Sequence, residues 1–431
     1  MRVRTRYTIG ATMLMVASAA AAAPSYIHAG RLIAVPGQAV RGASTIIVDG
    51  ARIVAVRDGL VPPPAGTALI DLSDKTVLPG LIDSHVHLAS DRGGEAGLLS
   101  FVREEPQMNA LEAQMNGMKT LRAGFTTVRN LGDDGATLAL REAIKRGWVQ
   151  GPRIVDAASS ISTTGGHMDG RGGLNDDLVA HLPSPENLCD GVDSCRKVVR
   201  RQIDRGADVI KFATTGGVNS GTGLATRMEE DEARALVATA HAYGRKVAVH
   251  AHGADGIKLA LRAGADSIEH GTVMDDEIVA TMKKQGTYYV PTLSTVNGYL
   301  ERLAANPDAY APDVKKQIDW RIGITGQSLR KAAPAGVKIA FGTDAGVSKH
   351  GRNADEFELL VKYGLTPLEA IKAATVNAAD LLGLASEVGT IEPGKSADII
   401  AVAGDPLTDV RVLKSVGFVM ARGEVIAPSI K

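Results

Sequence analysis

Ionisable residues recur at the C-terminal ends of apolar runs along this chain: His85 and His87 in GLIDSHVHL, Lys211 in ADVIKFAT, His250 and His252 in KVAVHAHG, His270 in ADSIEHG and Asp344 in VKIAFGTDAG. Side chains two apart on a strand share a face, so His85-Val86-His87 presents two imidazoles to one point in space. Imidazole and carboxylate groups at such positions suit a divalent metal such as zinc. The four main histidines, His85, His87, His250 and His270, repeat this placement across three runs, which is hard to explain as packing. Lys211 is different: an ammonium group between Ile210 and Phe212 is costly to bury charged, so burial lowers its pKa. A lysine head that snorkels to solvent at the strand end is the alternative.

The runs that carry these residues alternate with helical stretches from Pro79 to about Ala385, as in ADVIKFAT, DEARALVATAHAYG and KVAVHAH. Strands centred on His85, Thr127, Ile154, Ile210, Val249, Ile268, Val290 and Ile339 make the count that a closed (β/α)8 TIM barrel needs. The flanks read differently. Arg31 to Val77 holds short β-runs, with Asp49-Gly50 as a tight hairpin turn, and VGTIEPGKSADIIAV and KSVGFVMARGEVI return to the same pattern near the end. Between barrel and tail, Thr366-Pro367-Leu368-Glu369 is a capping box with Pro at the first helical position, predicting a helix to about Leu382. The expected fold is α/β: residues 79–385 as the barrel, and residues 24–78 and 386–431 pairing into one small β-sandwich built from both ends.

Residues 1–23 read as a secretory signal peptide, with Arg2, Arg4 and Arg6 ahead of an apolar stretch and the small-residue run Ala17 to Ala23. The mature chain is expected to start near Ala22 to Pro24, in the periplasm or outside the cell, with no membrane span after cleavage. In that oxidising setting Cys189 and Cys195, the only two cysteines, read as a short loop-closing disulfide. A metal pair or two free thiols are the alternatives. With 48 basic and 48 acidic residues the net charge is zero, so nothing favours a nucleic acid or another polyanion as partner. A small-molecule substrate is expected.

Five motifs in order, PGLIDSHVHL, IKFATTGG, VHAHG, SIEHG and FGTDAG, carry a resemblance over nearly the whole mature chain. The chain resembles the amidohydrolase superfamily, in the imidazolonepropionase-related, prolidase-like branch that includes Xaa-Pro and Xaa-Arg/Lys dipeptidases and ochratoxin amidohydrolases. The resemblance implies a metal-dependent hydrolase of amide or peptide bonds holding two divalent ions, most simply zinc. His85 and His87 hold one ion, His250 and His270 the other, and Asp344 binds the first and acts as the catalytic base. Lys211, as N6-carboxylysine, bridges the two. It also implies a homo-oligomer, up to an octamer.

Amide hydrolysis at neutral pH needs a hydroxide and a stabilised oxyanion, and a divalent metal supplies both. His252 shares a face with His250, and a role in supporting the metal ligands or touching the substrate stands beside plain packing. His167, in the Gly-rich STTGGHMDGRGG, is expected over the metals as a substrate or oxyanion contact, with an ordinary surface loop as the alternative. Ser90, Arg129, the Tyr288-Tyr289 pair, Asn219, Ser220 and Thr222 rank behind it; Arg129 reads equally as a structural ion-pair partner, and Ser90 as a backbone cap. His28, His181, His241 and His350 read as solvated or capping. The expected substrate is a dipeptide, N-acyl amino acid or ochratoxin-like conjugate with a free carboxylate beside the cleaved bond. A cyclic amide or imidazolone hydrolase is the nearer alternative. An exported binding protein without turnover is the remote one.

Overall fold

The structure, a computed structural model, describes residues 24–427 except 93–96, 98, 101–102, 183–184 and 220–221. The expected signal peptide and Ser220 lie outside the described residues.

Strands β1 (Ser25–Leu32), β2 (Ser44–Asp49), β3 (Arg52–Asp58) and β4 (Ala68–Pro79) form the N-terminal flank. The β2–β3 hairpin turns through Gly50, whose φ of 52° is the left-handed conformation that the Asp-Gly pair foreshadowed. Next in the chain come the inner strands β5 (Leu81–Val86), β6 (Phe125–Asn130), β7 (Arg153–Asp156), β8 (Val209–Ala213), β9 (Lys246–Ala251), β10 (Ser267–His270) and β11 (Tyr288–Val290). The C-terminal flank adds β12 (Ile399–Val402), β13 (Val416–Ala421) and β14 (Glu424–Val425).

Strands from both flanks share one seven-stranded sheet, in the order β14-β13-β12-β4-β1-β2-β3. A sandwich would keep two sheets apart. Here the 12-residue β4 is long enough to serve both sides, parallel to β1 from Ala68 to Val77 and antiparallel to β12 from Thr76 to Pro79. Its apolar face, with Ile27, Ile46, Val77, Ile399 and Met420, forms a core of its own.

The inner strands fall into two parallel sheets, β5-β6-β7 and β11-β10-β9-β8. Most of them are buried along their lengths, as in VIKFA of β8, which is why they read as nearly continuous apolar runs. Seven of the eight strand positions expected from the sequence lie in these strands. Ile339 instead lies in an extended segment that pairs only through isolated bridges, with Tyr289 on one side and, at Ala345, with Val86 on the other. Ile161 bridges Phe212 in the same way. The main-chain bonds Ser84 N–H to Phe341 O (2.8 Å), Asp344 N–H to His85 O (2.7 Å) and His87 N–H to Ala345 O (2.7 Å) tie this segment to β5.

Helices pack outside the inner strands. Val192–Arg205 ends at Gly206 (φ 108°), the left-handed stop after which the chain enters β8. Cys189 and Cys195 form a disulfide that ties the incoming loop to the first turn of this helix. The capping box at Thr366 and Glu369 is present, but the helix is not uniform: Pro367–Lys372 is α-helical, Ala373–Asn377 is a π-turn and Ala378–Leu382 resumes the α-helix. Phe341 N–H donates to Ala373 O (3.0 Å) and Asn377 Nδ2 to Ile339 O (2.8 Å), so the π-turn serves the extended segment that holds Asp344. Among the described residues, no helix is long and apolar enough to cross a membrane.

Candidate metal centre

Lys211, Asp344 and the six histidines 85, 87, 167, 250, 252 and 270 line one cavity of about 170 Å³ at the ends of the inner strands. Two clusters within it have metal-ligand spacing. His85, His87 and Asp344 form one, and His250, His252 and His270 the other; within each, the ligand atoms lie within 4.8 Å of one another.

Partners on the far side of the rings decide which nitrogens face inward. His85 Nδ1 meets Glu269 Oε2 at 2.8 Å, His87 Nδ1 meets Gly132 O at 3.0 Å, His252 Nδ1 meets Thr272 Oγ1 at 2.7 Å and His270 Nδ1 meets Thr292 Oγ1 at 2.7 Å. A carbonyl or carboxylate can only accept, so Nδ1 of His85 and His87 carries the proton and Nε2 keeps its lone pair for a cation. Both Nε2 atoms approach Asp344 Oδ1, at 3.4 and 3.3 Å. His250 is held the other way round, Nε2 to Gly216 O at 3.1 Å, which leaves Nδ1 as its free ligand atom.

Backbone strain aims several of these groups. His270 (φ 68°), Thr292 (φ 46°) and Asp344 (φ 56°) are non-glycine residues in the left-handed region. Each such residue costs on the order of 1 kcal/mol or more and persists only where surrounding contacts fix it. At His270 the turn breaks the strand alternation, bringing its ring beside that of His250, centroids 4.6 Å apart.

Burial drives the electrostatics. It holds the His85, His250, His252 and His270 pKa values well below the ordinary value, helped at each by neighbouring positive groups, so the rings are neutral and ready to donate a lone pair. His167 is pushed down to about 4, by burial first and the Lys211 charge second. Lys211 is only 1% exposed, and burial lowers its pKa to about 8 against the opposing pull of Glu269 and Asp344. Its Nζ makes no hydrogen bond to a described residue. A buried amine without an acceptor is an incomplete arrangement by itself. The snorkelling alternative is excluded by that burial.

His167 lies over the cluster as expected, its ring stacked on His250 at 4.2 Å and 26°. Gly217 makes the room: a Cβ there would lie 2.1 Å from His167 Cε1. Asn219 also lines the cavity. Thr222 Oγ1 accepts from Gly217 N–H at 3.3 Å, and Ser90 Oγ caps the Arg92 N–H at 3.1 Å.

Of the readings left open, the structural one holds for Arg129 and the capping one for His350, and the tyrosine pair is corrected. Arg129 does not reach the cavity; it is buried, with Nε on Ser84 O at 2.5 Å, Nη1 on Ser267 Oγ at 3.1 Å and Nη2 on Glu269 Oε1 at 2.8 Å, the structural ion-pair role. The two tyrosines are adjacent on β11 and point away from each other, Tyr288 OH to Asp380 Oδ2 (2.6 Å) and Tyr289 OH to His270 O (3.1 Å), so neither lines the cavity. His350 is not solvated; it is 5% exposed, and its Nε2 reaches the carbonyls of His87 (3.1 Å) and Ser90 (3.4 Å). Of the other three, His28 Nε2 meets Val61 O, His181 Nδ1 meets Asp177 O and His241 Nε2 meets Asp266.

Several contributors were not read from the sequence. Glu269 joins His85 to Arg129, and Asp83 accepts from the backbone of His85 and Thr343 (both 3.1 Å), fixing β5 against the segment that carries Asp344. Tyr299, Arg321 and Thr295 line the cavity from the helices Thr295–Ala305 and Pro312–Gly323.

Convergent neutral imidazoles, a carboxylate and a neutralisable amine at the ends of parallel strands define a metal-dependent hydrolase. The chain belongs to the amidohydrolase family, whose model matches residues 76–426. It is a hydrolase acting on C–N bonds. It is 32% identical to ochratoxinase of Aspergillus niger over 419 residues, 93% of this chain and 85% of that one. The crystal structure of a Xaa-Pro dipeptidase with methionine bound in its active site superposes with a TM-score of 0.88 at 39% identity, covering 94% of this chain and all of that one. Imidazolonepropionase of Fusobacterium nucleatum is 25% identical over 399 residues, 82% of this chain and 83% of that one.

Proposed function

We propose that this protein is a binuclear amidohydrolase that cleaves an amide or peptide bond beside a free carboxylate, with dipeptides, N-acyl amino acids and ochratoxin-like conjugates as its substrate class. The observation that carries the two-metal reading is Lys211: its buried Nζ, without a hydrogen-bond partner among the described residues, belongs to a residue lining the cavity that both ligand clusters share. A neutral amine adds carbon dioxide and releases one proton to give a carbamate, an anion with two oxygens, and N6-carboxylysine at this position would supply the two clusters with a shared anionic ligand. His85, His87 and Asp344 hold one ion and His250 and His270 the other, with zinc favoured by the imidazole-rich set.

Divalent ions bound there supply hydroxide at neutral pH and polarise the amide carbonyl. Asp344, next to both Nε2 atoms of the first cluster, takes the proton of the attacking water and passes it to the departing amine. His167, kept neutral by burial, donates a hydrogen bond to the carbonyl oxygen as negative charge grows on it. His252, held by Thr272, shapes the far wall beside His270 and contacts substrate.

The bridges joining the two parallel sheets through residues 161, 339 and 345 support a closed (β/α)8 barrel over 79–385. The shared sheet supports a small module from 24–78 and 386–431. The Cys189–Cys195 disulfide suits an exported protein, and a homo-oligomer is carried over with the family reading.

The test is metal analysis together with a panel of Ala-Xaa dipeptides, N-acetyl amino acids and one cyclic amide, scored for the released product. Turnover of the open-chain acids by metal-loaded protein is expected. Turnover of the cyclic amide alone, or none across the panel, overturns the reading.

A further inference from the structure

We infer that Arg321 is the group that recognises the substrate's carboxylate, an inference that rests on the proposed cleavage of amides beside a free acid. Arg321 is 3% exposed and lines the metal cavity, yet the one hydrogen bond its guanidinium makes to a described residue is from Nη1 to Thr325 Oγ1 at 3.0 Å, two residues past the end of its helix. No described acid pairs with it. The other deeply buried arginine among the described residues, Arg129, shows what a structural guanidinium has here: Glu269, Ser267 and a carbonyl around its fork. A buried guanidinium without an anion is costly to keep, and its planar fork matches a carboxylate with two parallel hydrogen bonds.

The position suits this role. Tyr299 and Asp344 line the same cavity as Arg321. A substrate with its carboxylate on Arg321 therefore sits in one enclosure with the hydrolytic groups. Val218 and Val347 give that enclosure apolar wall. On its helix Arg321 shares the buried face with Ile318, three residues earlier, so packing fixes the stem while the head reaches the cavity.

The experiment compares the best-cleaved dipeptide of an Ala-Xaa panel with its C-terminal carboxamide, in the metal-loaded wild type, Arg321→Met and Arg321→Lys. The wild type is expected to prefer the acid strongly. Arg321→Met should lose about a hundredfold or more in kcat/KM on the acid, mostly through KM, and little on the amide. Arg321→Lys, which keeps the charge without the fork, should lose about tenfold on the acid alone. Millimolar guanidinium should restore part of the acid activity to Arg321→Ala. Equal losses on acid and amide, or an acid preference that survives Arg321→Lys and Arg321→Met, overturn the assignment while leaving the proposed function standing. A wild type without acid preference overturns the proposed function itself. Should Arg321→Met not fold, Arg321→Lys and the rescue decide.

Discussion

Glu269→Gln is the most informative single change around this site, because one carboxylate answers two cations. Glu269 is fully buried, with Oε2 at 2.8 Å from His85 Nδ1 and Oε1 at 2.8 Å from Arg129 Nη2 and 2.6 Å from Ser267 Oγ. A carboxamide cannot accept on both sides. With its oxygen toward His85, its NH₂ faces the Arg129 guanidinium, donor against donor. With its NH₂ toward His85, Nδ1 must accept, the proton moves to Nε2, and His85 is lost as a ligand. Removing one partner of a buried pair costs about 3–5 kcal/mol. Loss of the group orienting a metal-ligating histidine costs about 10–100-fold in metal affinity, or about 1.4–2.8 kcal/mol. Urea unfolding of the metal-stripped protein reads the first quantity, and competition with a chelator reads the second. Arg129→Met added to Glu269→Gln should recover most of the stability and part of the affinity, since it removes the stranded guanidinium and frees the amide oxygen to accept from His85. Unchanged stability and affinity in Glu269→Gln would refute this reasoning.

Other outcomes follow from the same contacts. Gly217→Ala places a methyl 2.1 Å from His167 Cε1 and should push the ring off His250, lowering kcat/KM about a hundredfold with little change in melting temperature; unchanged kinetics would count against a role for His167. Replacing both Cys189 and Cys195 by serine frees a loop of sequence separation 6 and should cost about 2 kcal/mol in urea unfolding while sparing turnover. Below neutrality the metal-stripped protein should weaken. The His167 pKa falls from 6.5 to about 4 on folding, so its contribution is full above pH 6.5 and disappears as pH falls through about 4, a difference of about 3 kcal/mol at 1.36 kcal/mol per unit. His85, His250, His252 and His270 shift in the same direction, so the urea midpoint should drop steeply between pH 7 and 5. A flat midpoint would contradict their burial as neutral rings.

Most of the candidate metal centre is legible in the sequence, because each candidate ligand stands at the end of an apolar run and strand alternation says which side it faces. Its supports are not. Glu269 adjoins His270 in a run where either could point inward, and only the left-handed turn at His270 lets both serve the interior. Arg321 and Tyr299 come from helices whose sequence, as in KKQIDWRIG, reads as an ordinary solvated face, although the three-residue step from Ile318 to Arg321 carries the buried stripe. The eighth strand position was found but not its form, since Ile339 to Ala345 follows the geometry that Asp83 and the π-turn impose. The small β-module follows from β4 being long enough to pair on both sides, a length that run composition alone does not reveal.

The central claim, two ions bridged by a carboxylated Lys211, is tested most directly by counting metal per chain in stripped protein reconstituted with and without bicarbonate, for the wild type and Lys211→Ala. Two ions per wild-type chain, reached only when bicarbonate is present, and one or none in Lys211→Ala at any bicarbonate level, with amide hydrolysis tracking the second ion, is the predicted result. Two ions and full turnover in Lys211→Ala, or a wild type that never takes more than one, would contradict it.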